Sequence, residues 1–250
     1  VIRGLSGNRV LTYAQGIRLE NQQFGEEHGL GLNANGQESV EIIKGPASLL
    51  YGSDAMGGVL YFNPEKYAAN NKTELAINQV VNSNTQGSNS SVTVKASEDK
   101  FKFLVQNNYT THADYKTPNG ETVVNTRFLE KDFKLGTSFA TSRYVADFRY
   151  NYNNLNLGLP EEEIEDSKYR TPLFPSQKIE NHLLSFNQKL FFKNSKLEAT
   201  AGYVFNDRKE LESVEEIALF MKLKTFNYNV RYYLPDFGKF ETIIGFQGMN

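Results

Sequence analysis

Apolar and polar residues alternate with a period of two along most of the chain beyond residue 70. The alternation is clearest in four segments, at residues 100–111, 144–153, 196–206 and 225–234. Weaker versions occur at residues 74–82, 91–97, 132–141, 182–192 and 240–246. Because successive side chains of a strand point to opposite faces, the pattern predicts strands with one apolar and one polar face. There are about nine of them, each near the ~9–11 residues that a tilted strand needs to cross a bilayer.

The apolar faces of these predicted strands are rich in aromatic residues, whereas the opposite faces carry charges, amides and hydroxyls. The apolar set includes Phe148, Tyr150, Tyr203, Phe226 and Tyr228, and the polar set includes Arg149, Asn151, Thr200 and Asn227. In a membrane barrel the first set would face lipid and the second set the lumen, since a charge on the lipid face costs ~2–4 kcal/mol at mid-bilayer.

The connections between the predicted strands alternate in length. Tight turns are expected at residues 98–100, 142–143, 194–195 and 236–238. Between them lie the long polar segments 112–131 and 155–181, a moderate one at 209–220, and a shorter one at 83–90. Short turns at one end and long loops at the other are typical of outer-membrane barrels. A soluble β-sandwich also alternates apolar and polar residues, so the strands alone favour a barrel but leave the sandwich open.

Composition narrows the class further. Only 39% of the residues are hydrophobic, yet 13% are aromatic, with 18 Phe, 14 Tyr and no Trp. The net charge of −2 gives no reason to expect nucleic acid as a partner. There is no cysteine, which excludes a disulfide framework and a thiolate metal site. No run of about 18 apolar residues is present, so the sequence predicts no transmembrane helix, but barrel strands need no such run.

The first 65 residues differ from the rest because glycine and proline recur at short intervals. Between residues 38 and 63, a short strand leads to Gly45-Pro46, then to a brief turn or helix at 47–51, then to Gly57-Gly58 and a second strand at 59–62. Glycine allows backbone conformations closed to other residues, and proline fixes φ. The spacing therefore predicts a compact strand–turn–strand unit that packs closely against another part of the protein.

The amino-acid sequence of this unit resembles that of a known protein family. Residues 38–63 read ESVEIIKGPASLLYGSDAMGGVLYFN, which closely resembles the end of the plug domain of TonB-dependent outer-membrane receptors. Upstream, Ile2-Arg3-Gly4 and the strand–turn–strand VLTYAQGIRL at 10–19 resemble two further plug elements. Two positions depart from the family pattern: Gln15 stands where aspartate is usual, and Lys44 stands where arginine is commoner.

The resemblance implies a mostly β protein with two parts. Residues 1–65 would be the C-terminal half of the plug, a small mixed α+β unit, and residues 66–250 would be the first strands of an antiparallel transmembrane β-barrel. A barrel of this family has about 22 strands and a plugged lumen. The chain opens inside a motif and shows no signal peptide, so we expect an internal piece of a receptor located in the outer membrane of a Gram-negative bacterium.

The resemblance also implies a function, namely energised uptake of a scarce solute, most simply a ferric siderophore or another metal chelate. The expected partners are this small molecule, outer-membrane lipid, and a TonB-type energy-transducing protein that binds a segment upstream of Val1. We expect no enzymatic activity and no cofactor. One alternative is a polysaccharide-importing receptor of the same architecture, although its plug usually reads KDAS where this chain has KGPAS. The other is a soluble β-sandwich adhesin or carbohydrate-binding module.

Two sets of residues are candidates for the functional site. The glycine-rich segment 22–35, expected at the plug apex, carries the predicted substrate-binding residues Phe24, Glu26, Glu27 and His28. The resemblance further implies that Arg3 and Lys44 pair with carboxylates on the inside of the barrel. The three histidines of the chain lack metal-ligand spacing, so no protein metal site is predicted.

Overall fold

The computed structural model of the chain describes residues 9–20, 32–33, 35–52, 54–161, 170–236 and 238–250. Strands account for 66% of the chain, and most of them pair antiparallel, which confirms the predicted fold class. The strands form two separate sheets, one of four strands and one of nine. We call the first the small sheet and the second the wall.

The small sheet has the strand order β2-β1-β4-β3. Its strands are Val10–Ala14 (β1), Ile17–Leu19 (β2), Gln37–Ile43 (β3) and Gly58–Pro64 (β4). β1 pairs parallel with β4, and the other two pairs are antiparallel. A 3₁₀ helix, Gly45–Tyr51, connects β3 to β4, so the strand–turn–strand unit predicted from the glycine spacing is present.

The wall is an antiparallel meander in which each strand pairs with its neighbours in sequence. Its strands are Lys72–Asn82 (β5), Gly87–Glu98 (β6), Phe101–His112 (β7), Phe128–Ala140 (β8), Tyr144–Gly158 (β9), Ser176–Phe191 (β10), Lys196–Leu211 (β11), Ile217–Tyr233 (β12) and Ile243–Met249 (β13). Every segment with period-two alternation overlaps one of these strands. All nine strands lie in one sheet, which does not support the alternative of a two-layer sandwich.

The strand lengths correct the prediction. β9 to β12 have 15–17 residues, well above the ~9–11 that the alternation suggested. The predicted loops 155–181 and 209–220 shrink to the connections 159–175 and 212–216, and the predicted turn 236–238 widens to 234–242. The reason is that the backbone ladder continues through residues whose side chains do not alternate, because its hydrogen bonds need no apolar face.

The two faces of the wall differ in exposure as predicted. Arg149, Asn151 and Asn227 are each only 8% exposed, on the inner face that the small sheet covers. Tyr203 and Phe226, on the opposite face, are 37% and 48% exposed. The sheet is not closed in this chain, since β5 and β13 lie at its two edges. Within the described ranges, no helix is long and apolar enough to span a membrane.

The main apolar contact joins the small sheet to the wall. Six buried residues form this cluster: Ala14, Ile17, Leu19 and Phe62 from the small sheet, and Leu183 and Val204 from β10 and β11. A second cluster, of Leu11, Ala55 and Val59, lies within the small sheet. The small sheet is therefore packed against the middle of the wall by one compact apolar patch.

Candidate functional site: the interface between the small sheet and the wall

The turn between β1 and β2 lies against the wall. Gln15 and Gly16 both have positive φ, 57° and 85°, as a two-residue hairpin turn of type I′ requires. The Ser185 hydroxyl donates to Gln15 Oε1 over 2.8 Å, and the Asn187 amide donates to the Gln15 carbonyl over 3.3 Å. Gln15 is 6% exposed. A neutral amide therefore satisfies the wall donors here without burying the charge of the aspartate that is usual at this position.

The neighbouring contact depends on a wall residue with no side chain. A Cβ added at Gly202 of β11 would lie 2.2 Å from Ile17 Cδ1 and 3.1 Å from Ile17 Cγ2. Ile17 is 1% exposed and belongs to the apolar cluster. Gly202 thus provides the space that Ile17 occupies on the wall.

A second polar contact joins Asn33, which lies in the chain between β2 and β3, to two carboxyl groups of the wall. The Asn33 amide nitrogen donates to Glu130 Oε2 over 2.8 Å and to Asp132 Oδ2 over 2.7 Å. Its oxygen accepts from the Asn35 backbone N–H over 2.7 Å, which fixes the orientation of the amide. Asn153 of β9 donates from the other side, over 2.7 Å to each carboxylate. Two carboxyl groups on β8 are therefore held together by two amide groups.

The polar contacts continue across the wall. Lys134 of β8 donates to the Asn35 carbonyl, which ties the segment that leads into β3 to the same strand. On the other side, Asn181 of β10 donates to Asn153 over 3.4 Å, and Asn206 of β11 donates to Asn181. These groups are buried, so a lost partner would leave an unsatisfied polar group at a cost of ~1–3 kcal/mol. The inner face of the wall is thus a connected polar surface rather than an apolar core.

The glycine-rich motif has a structural role in the small sheet. Ser48 is 5% exposed, and its hydroxyl lies 2.9 Å from the Gly45 carbonyl and 3.0 Å from the Ala55 carbonyl. Gly45 and Gly58 have φ of 74° and 132°, conformations that L side chains rarely adopt. The motif residues therefore shape the turn around the 3₁₀ helix.

The two long connections of the wall are joined by an asparagine and stabilised by a buried ion pair. Asn125 donates to the Leu159 and Pro175 carbonyls over 2.8 and 2.9 Å, and it accepts from the Leu173 N–H over 2.8 Å. Arg127, 1% exposed, pairs with Asp114 through its side chain and its backbone N–H. Burial raises the pKa of Asp114, but the hydrogen bonds from Arg127 outweigh this and bring the pKa below its usual value. These contacts hold the described residues of the two connections, 113–127, 159–161 and 170–175, together at one end of the wall, which we call the loop end.

Of the predicted site residues, Lys44 lies among the described residues. Arg3 and the four predicted substrate-binding residues, Phe24, Glu26, Glu27 and His28, lie outside the described residues. Lys44 directly follows β3, is exposed, and forms no ion pair with a described residue, so its pairing stays a prediction. Within the described ranges, no group of three or more histidine, aspartate or glutamate side chains could hold a metal ion.

The interface residues themselves were missed by sequence reasoning. Gln15 was noticed only as a departure from the family pattern, and Asn33, Glu130, Asp132 and Asn153 were not singled out. Alternation places a residue on the inner face of the wall, but it gives no information on which residue of the small sheet lies opposite.

Comparison with known proteins relates the first part of the chain to a family. Residues 1–59 match the family described as TonB-dependent Receptor Plug Domain. The heme/hemopexin utilization protein C of Haemophilus influenzae is 42% identical over 59 residues, which cover 24% of this chain and 8% of that protein. The hemin receptor of Yersinia pestis is 39% identical over 62 residues, 25% of this chain and 9% of the receptor. The vitamin B12 transporter BtuB of Photobacterium profundum is 36% identical over 59 residues, 24% and 10% of the two chains.

Solved structures share the fold over nearly the whole chain. The siderophore receptor PirA from Acinetobacter baumannii superposes with a TM-score of 0.74 at 15% identity, over 99% of this chain and 40% of the receptor. The FrpB iron transporter from Neisseria meningitidis gives 0.75 at 14% identity, over 97% and 41%. This chain thus spans about two fifths of the length of these receptors.

The fold of the chain is therefore that of part of a plug together with consecutive strands of a barrel. The plug-domain match and the shared fold confirm the resemblance to TonB-dependent outer-membrane receptors, and with it the location in the outer membrane of a Gram-negative bacterium.

Proposed function

We propose that this chain is part of a receptor that imports a scarce solute across the outer membrane with energy from a TonB-type protein, and that the solute is a ferric siderophore or another metal chelate. The observation that carries the proposal is the way the small sheet is docked on the inner face of the wall. Among the described residues, its polar contacts with the wall are hydrogen bonds at Gln15, Asn33 and Asn35, and its apolar contact is the patch around Ile17. A part held in this way can close a pore and still be released.

The contacts between the small sheet and the wall are weaker than the contacts within the wall, as expected for a part that must be released. A hydrogen bond between neutral groups contributes ~0.5–1.5 kcal/mol net, and one to a charged group contributes ~1.5–3 kcal/mol. The wall, in contrast, is held by backbone ladders that run continuously between neighbouring strands. Mechanical work applied to the small sheet would therefore separate it from the wall before the wall strands separate from each other.

The substrate class is supported by the names of the relatives. The curated relatives are named for heme/hemopexin utilization, hemin and vitamin B12, and the solved receptors for siderophores and iron. All of these solutes contain or chelate a metal. The KGPAS sequence at residues 44–48 in place of KDAS also favours a metal chelate over a polysaccharide.

We further propose that Phe24, Glu26, Glu27 and His28 contact the substrate on the outer side. One described residue that follows them, Asn33, supports this placement. Asn33 bonds to Glu130 and Asp132 near the start of β8, the half of the wall that leads to the loop end. In receptors of this architecture the long loops face the outside of the cell. Arg3 and Lys44 remain proposed as plug residues that pair with carboxylates inside the barrel.

Uptake measurements test the function. The complete receptor is expressed in cells that lack their own chelate receptors, and uptake is measured for iron bound to catecholate, hydroxamate and citrate chelators, and for heme and cobalamin. We expect saturable uptake of one metal chelate that disappears when the TonB-type protein is deleted. Uptake of an oligosaccharide instead, or uptake that is independent of the energy-transducing protein, would contradict the proposal.

The substrate contacts are tested in the same cells. Replacing Phe24, Glu27 and His28 with alanine should weaken binding of the identified substrate without lowering the amount of receptor in the outer membrane. Gln23→Ala is the matched control, since it lies in the same segment but outside the candidate set. Equal affinities in the triple variant and the control would remove these residues from the site.

A further inference from the structure

The segment that joins the small sheet to the wall is itself bound to the wall. Residues 65–71, which we call the strap, follow β4 and lead into β5. The Glu65 carboxylate pairs with Lys95 of β6, and the Glu65 carbonyl accepts from Arg149 of β9 over 3.0 Å. At its far end, the Asn71 side chain accepts from the Asp99 N–H over 3.1 Å. The strap is therefore held at several wall strands besides the one that it enters.

Tyr67 is the central residue of the strap. The Arg149 guanidinium lies over its ring, with the central carbon 4.5 Å from the ring centroid. The ring also lies on Gly136 of β8, where an added Cβ would come within 2.9 Å of the Tyr67 hydroxyl and 3.2 Å of the ring. The next residue, Ala68, is 2% exposed. The wall thus provides a fitted position for this side chain.

Arg149 is fixed from the wall side. Its Nε donates to Asp147 Oδ1 of the same strand over 2.9 Å, and the arginine is 8% exposed. One guanidinium therefore holds the strap twice, through the Glu65 carbonyl and the Tyr67 ring, while its own orientation is set by a carboxylate. Hydrogen bonds with a charged group are roughly twice as strong as neutral ones, and the contact between a cation and an aromatic ring adds to them.

The β1–β2 hairpin is held differently. Its polar contacts with the wall are the neutral hydrogen bonds of Gln15 to Ser185 and Asn187, and its apolar contact is the patch around Ile17. The hairpin also lies earlier in the chain than the strap. A pull that reaches the small sheet from its N-terminal side, as the proposed function requires, loads the hairpin first.

We propose that the strap is the fixed end of the gate and that Arg149 is the positioning residue that keeps it on the wall. The β1–β2 hairpin leaves the wall while residues 65–71 stay bound. The small sheet then returns to the same place because one end of it never leaves. This inference builds on the proposed function, but it concerns an order of release that is measurable without substrate or energy.

The test uses single thiol reporters, since this chain has no cysteine and any cysteine elsewhere in the complete receptor is first replaced by serine. Ala14→Cys reports on the hairpin and Ala68→Cys on the strap, and both positions are buried, at 0% and 2% exposure. The complete receptor in outer-membrane vesicles is titrated with urea, and maleimide labelling is followed at each position. We expect position 14 to become reactive at a lower urea concentration than position 68. Simultaneous labelling, or earlier labelling of position 68, would overturn the proposal.

A second comparison isolates the role of Arg149. Arg149→Gln should increase the labelling rate at position 68 by at least tenfold at a fixed urea concentration and leave position 14 unchanged. Arg231→Gln is the matched control, because Arg231 lies on the inner face of β12 and lines a cavity next to Tyr13 instead of contacting the strap. An equal effect of the two variants, or no effect of Arg149→Gln at position 68, would show that Arg149 does not hold the strap.

A measurement without any variant covers the case in which a cysteine variant fails to assemble. Hydroxyl-radical footprinting of the natural receptor during the urea titration compares oxidation of the Tyr13 ring in β1 with that of the Tyr67 ring in the strap. Tyr13 should become oxidised first. Earlier oxidation of Tyr67 would overturn the proposal. Loss of uptake has no influence on these readouts, so a failure of the proposed function is distinguishable from a failure of this inference.

Discussion

Gly202 offers the sharpest test of how the small sheet is docked. In Gly202→Ala the new methyl group would lie 2.2 Å from Ile17 Cδ1, a distance that no packed side chain tolerates. Ile17 is 1% exposed and its Cγ2 also lies close, at 3.1 Å, so a simple rotation of the terminal methyl does not resolve the clash. Either Ile17 or the strand that carries it must move away from the wall.

The expected loss of docking free energy follows from these two possibilities, a strained contact or an Ile17 side chain that leaves the wall. Forcing extra atoms into a packed contact costs ~1–3 kcal/mol, and exposing a buried isoleucine costs ~1.5–3 kcal/mol. We therefore expect Gly202→Ala to weaken docking of the small sheet by ~1–3 kcal/mol, which corresponds to a roughly 5- to 150-fold larger undocked population.

The assay measures docking in the complete receptor. A thiol at Ala14, which is 0% exposed in the apolar cluster that joins the small sheet to the wall, is labelled with maleimide during a urea titration. Ala201→Val is the matched control, because Ala201 is the neighbouring residue on the outer face of the same strand. The double variant Gly202→Ala with Ile17→Ala tests whether the clash with Ile17 causes the effect, since an alanine at position 17 leaves room for the methyl group at position 202.

In the Ile17→Ala background the cost of Gly202→Ala should fall below ~0.5 kcal/mol, the level at which independent sites are additive. A cost that stays the same in both backgrounds would show that Ile17 does not occupy the space at Gly202. The reasoning would then be refuted, together with the position of the β1–β2 hairpin on which it rests.

Three further predictions concern the wall and its loops. Tyr228→Arg should reduce assembly of the complete barrel far more than Asn229→Arg, because a charge on the lipid face costs ~2–4 kcal/mol while residue 229 faces an internal cavity. The heat-modified mobility of the receptor on gels measures assembly, and equal losses in the two variants would contradict the assigned faces. Asn33→Asp should open the pore to large antibiotics more than Asn33→Ala, because it brings a third carboxylate next to the two on β8; the reverse order would argue against the amide contact. Asp114→Asn should expose the loop end to proteases on intact cells, because it breaks the buried ion pair between Asp114 and Arg127, and removing one partner of such a pair costs ~3–5 kcal/mol. Since the pKa of Asp114 is lowered in the folded protein, its stabilisation is present above pH ~4 and is lost as the pH falls below that value, which hydrogen exchange of the loop would show.

The wall strands could be predicted because their side chains report on two different environments. Tyr203 and Phe226 face outward, whereas Arg149 and Asn227 face the small sheet, and this difference repeats with the period of a strand. The ends of the strands could not be predicted in the same way. In β12 the segment 217–224 reads IALFMKLK, and its apolar residues on both faces hide the alternation although the ladder with β11 continues through most of it.

The contacts of the small sheet escaped prediction for a different reason. Gln15 bonds to Ser185, 170 positions later, and Asn33 bonds to Asp132, 99 positions later. Alternation gives the face on which a wall residue lies, but the residue that it meets depends on how two sheets are placed relative to each other. No local pattern contains that information. The structure of the glycine-rich motif could be predicted because its turn and its positive φ values are determined within a few residues.

The distribution of contact types fits the proposed function, in which the receptor must keep its pore closed and also open it for a solute. Neighbouring wall strands from β7 to β12 are joined over 12 or more consecutive residues, so separating two of them requires breaking many backbone hydrogen bonds at once. In the part of the chain that the structure describes, Gln15, Asn33 and Asn35 meet the wall through a few hydrogen bonds that involve side chains, and the apolar patch around Ile17 consists of six buried residues. The inner face of the wall is polar, so it can be wetted once the small sheet moves, whereas an apolar inner face would resist the entry of water and of a polar solute. In the proposed receptor, opening the pore would therefore require that these side-chain contacts break, while the backbone ladders of the wall stay intact.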